Sequence, residues 1–274
     1  MADGRGAAIE IDRVTKVFPV GGGRTVQALT EISIRIRPGE FVSVVGPSGC
    51  GKSTLMLMTA GLLGPSSGVI RVAGRALDSP LTDVGIVFQD DLLLEFRSAL
   101  DNVLLQGRVR RLDMREVRLR AGRLLEQLGV AQASDRYPRQ LSGGMRQRVS
   151  LARALVHGPS VLLMDEPFGA LDALTRLQVR ADLERLWLTE RQTVLFITHS
   201  IEEAVGLSDR VIVMSPGPGR IVREMTIDLP RPRPLALGEA PALSEHVRSI
   251  YAIFEEMGVL HGQGAGLGGP GTPG

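Results

Sequence analysis

Apolar and polar positions follow two rhythms along this chain. Strict alternation runs through Ile9-Glu10-Ile11-Asp12-Arg13-Val14 and again through Ile32-Ser33-Ile34-Arg35-Ile36, the period of strands with one wet face. Gly21-Gly22-Gly23 lies between them as a hairpin-like loop, and Pro38-Gly39 turns the chain onward. Short apolar runs come next: Val42-Ser43-Val44-Val45, Val161-Leu162-Leu163-Met164, Val194-Leu195-Phe196-Ile197 and Val211-Ile212-Val213-Met214. Such runs suit parallel strands buried on both faces. Gly68-Val69-Ile70-Arg71-Val72 and Val84-Gly85-Ile86-Val87-Phe88 read as further strands. Helical spacing is expected over 54–60, through much of 97–153 (Leu124, Leu125 and Leu128 on one face), and after Asp172. There Val179, Leu183, Leu186 and Trp187 form an apolar stripe, so Trp187 reads as core. Val247, Ile250, Tyr251, Phe254 and Met257 mark a last amphipathic helix. Pro216 to Gly219 reads as a tight turn, Leu229-Pro230-Arg231-Pro232-Arg233-Pro234 as an extended connector, and the Gly- and Pro-rich stretch 262–274 as a disordered tail. The pattern is α/β: an antiparallel strand layer, a parallel core, and a helix-rich segment between the core strands.

Composition narrows the partners. With 274 residues there is ample length for a core. A net charge of +2 gives no global field for nucleic acid. Residues 1–10 contain no apolar stretch of the kind a signal peptide needs. The charge-free run 53–70 is broken by Gly61, Gly64, Pro65, Ser66 and Ser67, so it is a helix and a turn rather than a membrane span. A lone cysteine, Cys50, excludes an internal disulfide and fits a reducing compartment. Cys50 reads either as a small residue that fits its place or as a redox switch.

The chemistry concentrates at Gly46-Pro47-Ser48-Gly49-Cys50-Gly51-Lys52-Ser53-Thr54, which fits G-x-x-x-x-G-K-[ST] between a strand and a helix. The glycines allow backbone N–H groups to close around anionic oxygens, and the helix start adds its positive end. Lys52 suits the outer phosphates of a nucleotide, and the Ser53 hydroxyl suits Mg²⁺. Only Lys16 and Lys52 are lysines among the 32 basic residues, so half of the ammonium groups sit where a nucleotide would use one.

Other candidates lie mostly at strand ends. Gln89 ends one strand, where an amide can reach Mg²⁺ or an attacking water, or can be a plain loop residue. Asp165 and Glu166 close an apolar strand, which is costly unless they meet a metal or donors. Side-chain alternation along a strand points them to opposite sides, giving Asp165 to the Mg²⁺ shell and Glu166 to the water that attacks the γ-phosphate. His199 ends another strand, as either a structural residue or a γ-phosphate contact. Ser200 and Glu203 have capping-box spacing. Ser142-Gly143-Gly144 opens a helix, as a second anion site or an ordinary cap. Phe18 reads as core by spacing, although an aromatic face can also stack on an adenine. Residues 97–153 carry thirteen arginines against five acids, which suits a solvated face or the neighbourhood of an anionic membrane leaflet.

Taken in order, Gly46 to Thr54, Gln89, Leu141-Ser142-Gly143-Gly144-Met145-Arg146-Gln147-Arg148, Val161 to Pro167 and His199 resemble an ATP-binding cassette (ABC) transporter ATPase, over about residues 8–230. The resemblance implies a P-loop NTPase (RecA-like) core, an antiparallel β subdomain and a helical subdomain that bears the signature sequence. The expected bounds are core 8–92 and 155–228, helical subdomain 93–154, C-terminal extension 231–261 and tail 262–274. It further implies that Phe18 stacks on adenine, that Gln89 is the Q-loop, that Leu171-Asp172 is the D-loop and that His199 is the switch histidine. Lys52 of one copy and Ser142-Gly143-Gly144 of another would enclose one Mg²⁺-ATP. Implied partners are a second ATPase subunit, two permease transmembrane subunits and, indirectly, an extracytoplasmic solute-binding protein, at the cytoplasmic face of the inner membrane. Asp209-Arg210-Val211 and Leu-Pro-Arg-Pro-Arg at 229–233 are similar to importers of nitrate, sulfonates and taurine. That subgroup usually has Pro-Trp-Arg after the Q-loop, where this chain has Glu95-Phe96-Arg97.

Overall fold

The computed structural model describes residues 6–234 and 241–260. The expected tail 262–274 and part of the expected extension lie outside the described residues.

β1 (Ile9–Gly21) and β2 (Arg24–Ile36) form a hairpin joined at Gly22-Gly23. With β4 (Ser67–Val72) and β5 (Arg75–Ala76) they make an antiparallel sheet in the order β2-β1-β4-β5. Ile9, Ile11, Val14, Ile32, Ile34 and Ile36 are all buried, as one-faced alternation demands.

The second sheet has the order β10-β9-β3-β8-β7-β6. Its parallel strands are β3 (Phe41–Val45), β6 (Val84–Val87), β7 (Val161–Asp165), β8 (Thr193–Thr198) and β9 (Arg210–Met214). Antiparallel β10 (Ile221–Thr226) closes one edge. β3 and β8 are buried along their whole length, which explains why their sequences do not alternate.

Three apolar clusters hold the layers. One fills the space between the antiparallel layer, α1 (Lys52–Thr59) and the parallel sheet. Another joins the opposite face to α2 (Ala99–Val109), α3 (Met114–Gln127), α4 (Gly143–Leu155) and α5 (Ala173–Glu190). The third packs α6 (Ile201–Leu207) and α7 (Pro241–Glu256) on β9, through Leu243, Val247, Ile250 and Phe254. Tyr251, expected on that apolar face, is at its edge and donates its hydroxyl to Glu202 at 2.9 Å.

Four expectations need correction or refinement. First, part of the arginine excess in 97–153 is not simply solvated. Arg110 donates to the Thr82 and Val84 carbonyls, Arg120 to the Leu155 carbonyl and Glu190, Arg148 to the Leu128 carbonyl, and Arg153 to the Asp91 and Leu92 carbonyls. A forked donor satisfies loop carbonyls that the helices leave open. Arg108, Arg111, Arg115, Arg118, Arg123, Arg136 and Arg139 are exposed, as a solvated face requires. Second, the 229–234 stretch is neither helix nor strand, as expected, but it is no loose connector. Arg231 pairs with Glu184 and Asp209, both at 2.9 Å. Buried Arg233 donates to the carbonyls of Val205, Ser208 and Ile227 at 2.7, 2.6 and 3.0 Å. Third, Ser200 caps α6 through the Glu203 N–H at 3.2 Å, but the reciprocal half of the capping box does not form. The Ser200 N–H donates to Thr198 Oγ1 instead, and that hydroxyl donates to Glu203 Oε2. Fourth, Phe18 is half-buried rather than core, with Lys16 Nζ 5.0 Å from its ring centroid.

Trp187 is core, as its spacing predicts. It meets Phe41 edge-on at 5.5 Å and lies between the Arg191 and Arg231 guanidiniums, each 4.5 Å from its ring.

Candidate nucleotide site

Parallel pairing places the ends of four adjacent strands on one sheet edge. Val45 is level with Thr198, Asp165 with Ile197, and Val87 with Met164. The edge therefore presents, in spatial order, the 46–54 loop, His199, Asp165 with Glu166, and the turn bearing Gln89. Ligands of such sheets sit beyond the carboxyl ends of the strands.

The loop between β3 and α1 is held by close approaches. A Cβ at Gly46 would lie 2.8 Å from Cys50 Sγ, and one at Gly51 would lie 2.6 Å from Leu29 Cδ2. Gly49 and Gly51 have φ of 76° and 96°, which side chains resist. Among α1 to α6, α1 alone lacks a side-chain cap, whereas Ser98, Asp113, Ser142, Asp172 and Ser200 cap the other five. Its first N–H groups thus point at the loop without a side-chain acceptor. Lys52 is buried, and its Nζ donates to the Gly46 and Pro47 carbonyls at 2.8 and 3.0 Å. Ser48, Gly49 and Ser53 are exposed, and Pro47 and Thr54 are half-buried.

Cys50 is fully buried, and burial pushes its thiol pKa up. A neutral, buried thiol is a poor nucleophile. The burial of Cys50 favours the small-residue reading over the redox-switch reading.

Asp165 is the last residue of β7. Its Oδ1 is buried with no hydrogen-bond partner. Burial raises its pKa, a hydrogen bond with Ser53 opposes this, the Glu166 charge adds to the rise and Lys52 counters it. An orphaned carboxylate oxygen beside a hydroxyl is a hard-oxygen donor set, so the residues present fit Mg²⁺. Among the described residues no group of three or more His, Cys, Asp or Glu side chains could hold a metal alone. A cation here would share its shell with phosphate oxygens, as Mg²⁺ does at substrate sites.

Strand alternation does not orient Glu166. The strand ends one residue earlier, and Glu166 has a left-handed φ of 45°. Its N–H donates to the Ile197 carbonyl at 2.8 Å and its own carbonyl accepts from Gly169 at 3.1 Å. So turned, its Oε2 lies 3.1 Å from His199 Nδ1. The carboxylate and the imidazole, each taken singly from a strand end in the sequence, are in direct contact.

Gln89 is exposed, two residues beyond β6. The loop after it is tied to α4: Arg146 Nε donates to Asp91 Oδ2 at 2.9 Å, and Arg153 reaches the carbonyls of Asp91 and Leu92. Asn102, fully buried, then holds Leu94, Arg97 and Ser98, leaving Phe96 74% exposed.

Ser142, Gly143 and Gly144 are not brought to this edge. They open α4, with Ser142 and Gly143 exposed and Ser142 Oγ accepting from the Met145 N–H at 3.3 Å. A Cβ at Gly144 would lie 2.4 Å from Thr175 Cγ2 of α5, so the two helix starts touch.

Residue-level reading of the sequence missed one support. The turn after β9 leans on the phosphate loop: a Cβ at Gly219 would be 1.9 Å from the Cys50 carbonyl oxygen. Gly219 also exchanges backbone hydrogen bonds with Ala28 and Thr30, each at 2.9 Å. The Pro216-Gly217-Pro218-Gly219 run was its only signal.

A glycine-lined loop on an uncapped helix, a buried lysine over it and two strand-end carboxylates define a P-loop protein that binds nucleoside triphosphates. The family model for ABC transporters matches residues 29–169. The chain is 47% identical over 253 residues to the taurine import ATP-binding protein of Rhizobium johnstonii, covering 92% of this chain and 96% of that one. It is 44% identical over 229 residues to the aliphatic sulfonates import ATP-binding protein of Pectobacterium atrosepticum, covering 84% and 81%. Its fold superposes on a dimeric bacterial ABC transporter cassette with a TM-score of 0.72 at 32% identity, over 81% of this chain and 99% of the other. The chain belongs to the ABC transporter family of ATP-binding proteins.

Proposed function

We propose that this chain is the ATP-hydrolysing subunit of a bacterial importer for a small solute of the taurine, sulfonate or nitrate type. It works at the cytoplasmic face of the inner membrane with two permease subunits and a second ATPase subunit, and indirectly with an extracytoplasmic solute-binding protein. The cassette spans 8–230, with α7 in the extension that follows. The observation that carries the reading is the Glu166–His199 contact of 3.1 Å on the same sheet edge as Lys52.

In this reading Phe18 stacks on the adenine, and residues 46–54 wrap the phosphates, with Lys52 transferring its hydrogen bonds from the Gly46 and Pro47 carbonyls to phosphate oxygens. Ser53, Gln89 and Asp165 would hold Mg²⁺, which would neutralise charge on the phosphates. Glu166 takes the proton of the attacking water, and His199 fixes the carboxylate and faces the γ-phosphate. Ser142-Gly143-Gly144 of the second subunit covers the γ-phosphate from the other side. The exposed Phe96, after Glu95, faces the permease and sets which permease fits.

The test is phosphate release from Mg²⁺-ATP by the purified protein. Glu166→Gln is expected to keep nucleotide binding and to lower turnover by roughly 10²–10⁴-fold. Near-wild-type turnover would remove Glu166 from its role, and no release from wild type would remove the function.

A further inference from the structure

Behind the Glu166–His199 contact lies a second link between the same two loops. The Thr198 hydroxyl donates to Glu203 Oε2 at 2.6 Å, and the Ser200 N–H donates to Thr198 Oγ1 at 3.0 Å. The Ser200 hydroxyl accepts from the Glu203 N–H. The residues on both sides of His199 are therefore fastened to Glu203, Thr198 to its side chain and Ser200 to its backbone N–H. Glu203 is 6% exposed. Its other oxygen, Oε1, lies 3.8 Å from Arg176 Nε, and Arg176 donates from Nη2 to the Leu171 carbonyl at 2.9 Å. Leu171 belongs to the loop that starts at Glu166, and its N–H donates to the Phe168 carbonyl.

A circuit runs through Glu166, His199, Thr198, Glu203, Arg176 and Leu171 and back along the loop to Glu166, in which the Glu203–Arg176 step is a charge pairing at 3.8 Å and not a hydrogen bond. A carboxylate and an imidazole on two separate loops keep a working separation only if both loops are fixed to each other. The α6 capping box gives up its reciprocal bond so that Glu203 can make this link. From this geometry we infer that Glu203 and Arg176 are positioning residues, which set the distance between Glu166 and His199 from behind. The inference rests on the hydrolytic reading above and assigns it two residues that touch neither nucleotide nor metal.

The circuit is sensitive to protonation. Burial raises the Glu203 pKa, against the Thr198 hydrogen bond and the charges of Arg176, His199 and Arg180. Arg176 and Arg180 face it from α5 and His199 from the preceding loop, while Tyr251 of α7 bonds to the neighbouring Glu202. Protonated Glu203 loses its attraction for Arg176. Turnover thus falls as pH falls through the Glu203 pKa, and a variant that lacks either member of the pair lacks that fall.

The experiment compares wild type, Glu203→Gln and Arg176→Gln for ATP turnover over a range of pH, with equilibrium ADP binding and Tm recorded for each. Expected are a kcat about tenfold lower in both variants, an order set by the usual cost of misplacing a catalytic group. KM and ADP affinity stay within about twofold, and the double variant is no worse than either single one, as for residues acting through one circuit. The acid limb of kcat that Glu203 causes flattens in both Arg176→Gln and Glu203→Gln. Variants with wild-type kcat and pH profile, beside an active wild type, would overturn the inference alone. So would a kcat loss matched by loss of ADP binding. An inactive wild type would overturn the hydrolytic reading first, and this inference with it.

Discussion

At the scale of single residues, the site depends on side chains held in costly settings. Glu166 occupies left-handed backbone space, a strain of order 1–3 kcal/mol that neighbouring structure must offset. Asp165 is half-buried with an unpaired oxygen and a raised pKa, caused first by burial. The sign of the resulting linkage is definite. A carboxyl that holds its proton more tightly in the folded chain favours folding below the ordinary carboxylate range, and that contribution is lost as pH rises through the raised pKa. At neutral pH the ionised Asp165 therefore subtracts from stability. Asp165→Asn is expected to raise Tm at pH 7 in EDTA, with the gap closing as pH is lowered, while Mg²⁺-dependent turnover falls. A variant that melts below wild type at pH 7 would contradict the assigned burial cost. The sequence showed the cost of two carboxylates closing an apolar strand, but not how each is held. The run Val161-Leu162-Leu163-Met164-Asp165-Glu166 carries no mark of the left-handed φ that follows Asp165. The Glu166–His199 contact was hidden for the same reason, since it joins two strand ends whose adjacency only the sheet order fixes.

At the scale of elements, hydrophobic rhythm identified the strands that are buried on one face or on both, and missed β5 and β10, which have no buried residue. It missed what arginines do. A guanidinium satisfying carbonyls in another element has no periodicity, so Arg110, Arg148, Arg153 and Arg233 read as surface charge. Arg233 is the clearest case. It is 6% exposed and donates to three carbonyls, two of them around the end of α6 and one just after β10. Burial lowers its pKa to about 10, with the Arg231 charge adding to the effect, so it remains charged under physiological conditions. Arg233→Met would take the guanidinium from the Val205, Ser208 and Ile227 carbonyls, of which Ile227 keeps the Leu229 N–H, while the backbone N–H of residue 233 would still donate to Glu184. The expected cost is about 3 kcal/mol, the scale for removing one partner of a buried charged network, read as a lower urea midpoint at unchanged m-value. A midpoint equal to wild type would return the 229–234 stretch to the status of a connector.

At the scale of the whole molecule, the residues that seek anions are divided between two places. The 46–54 loop lies on the sheet edge, whereas Ser142 and Gly143 lie exposed at the start of α4, against the start of α5. Leu174, next to that junction, is 78% exposed. In the proposed function these are the two halves of a nucleotide enclosure, and a second copy would supply the half that one chain does not bring to its own loop. This division was legible in the sequence, because two glycine-bearing helix starts lie far apart along the chain. The Asp91–Arg146 bond that ties the Gln89 turn to α4 was not, because it pairs two ordinary charges.

The central claim is that ATP is held between two chains, and light scattering on Glu166→Gln tests it most directly. With Mg²⁺-ATP the variant is expected at twice the mass of one chain. It is expected at one chain's mass with ADP or without nucleotide, and Ser142→Arg added to it should abolish the dimer while leaving ATP binding to the single chain intact. A Glu166→Gln protein that binds Mg²⁺-ATP and remains at the mass of one chain, alone and beside its permease, would contradict the claim.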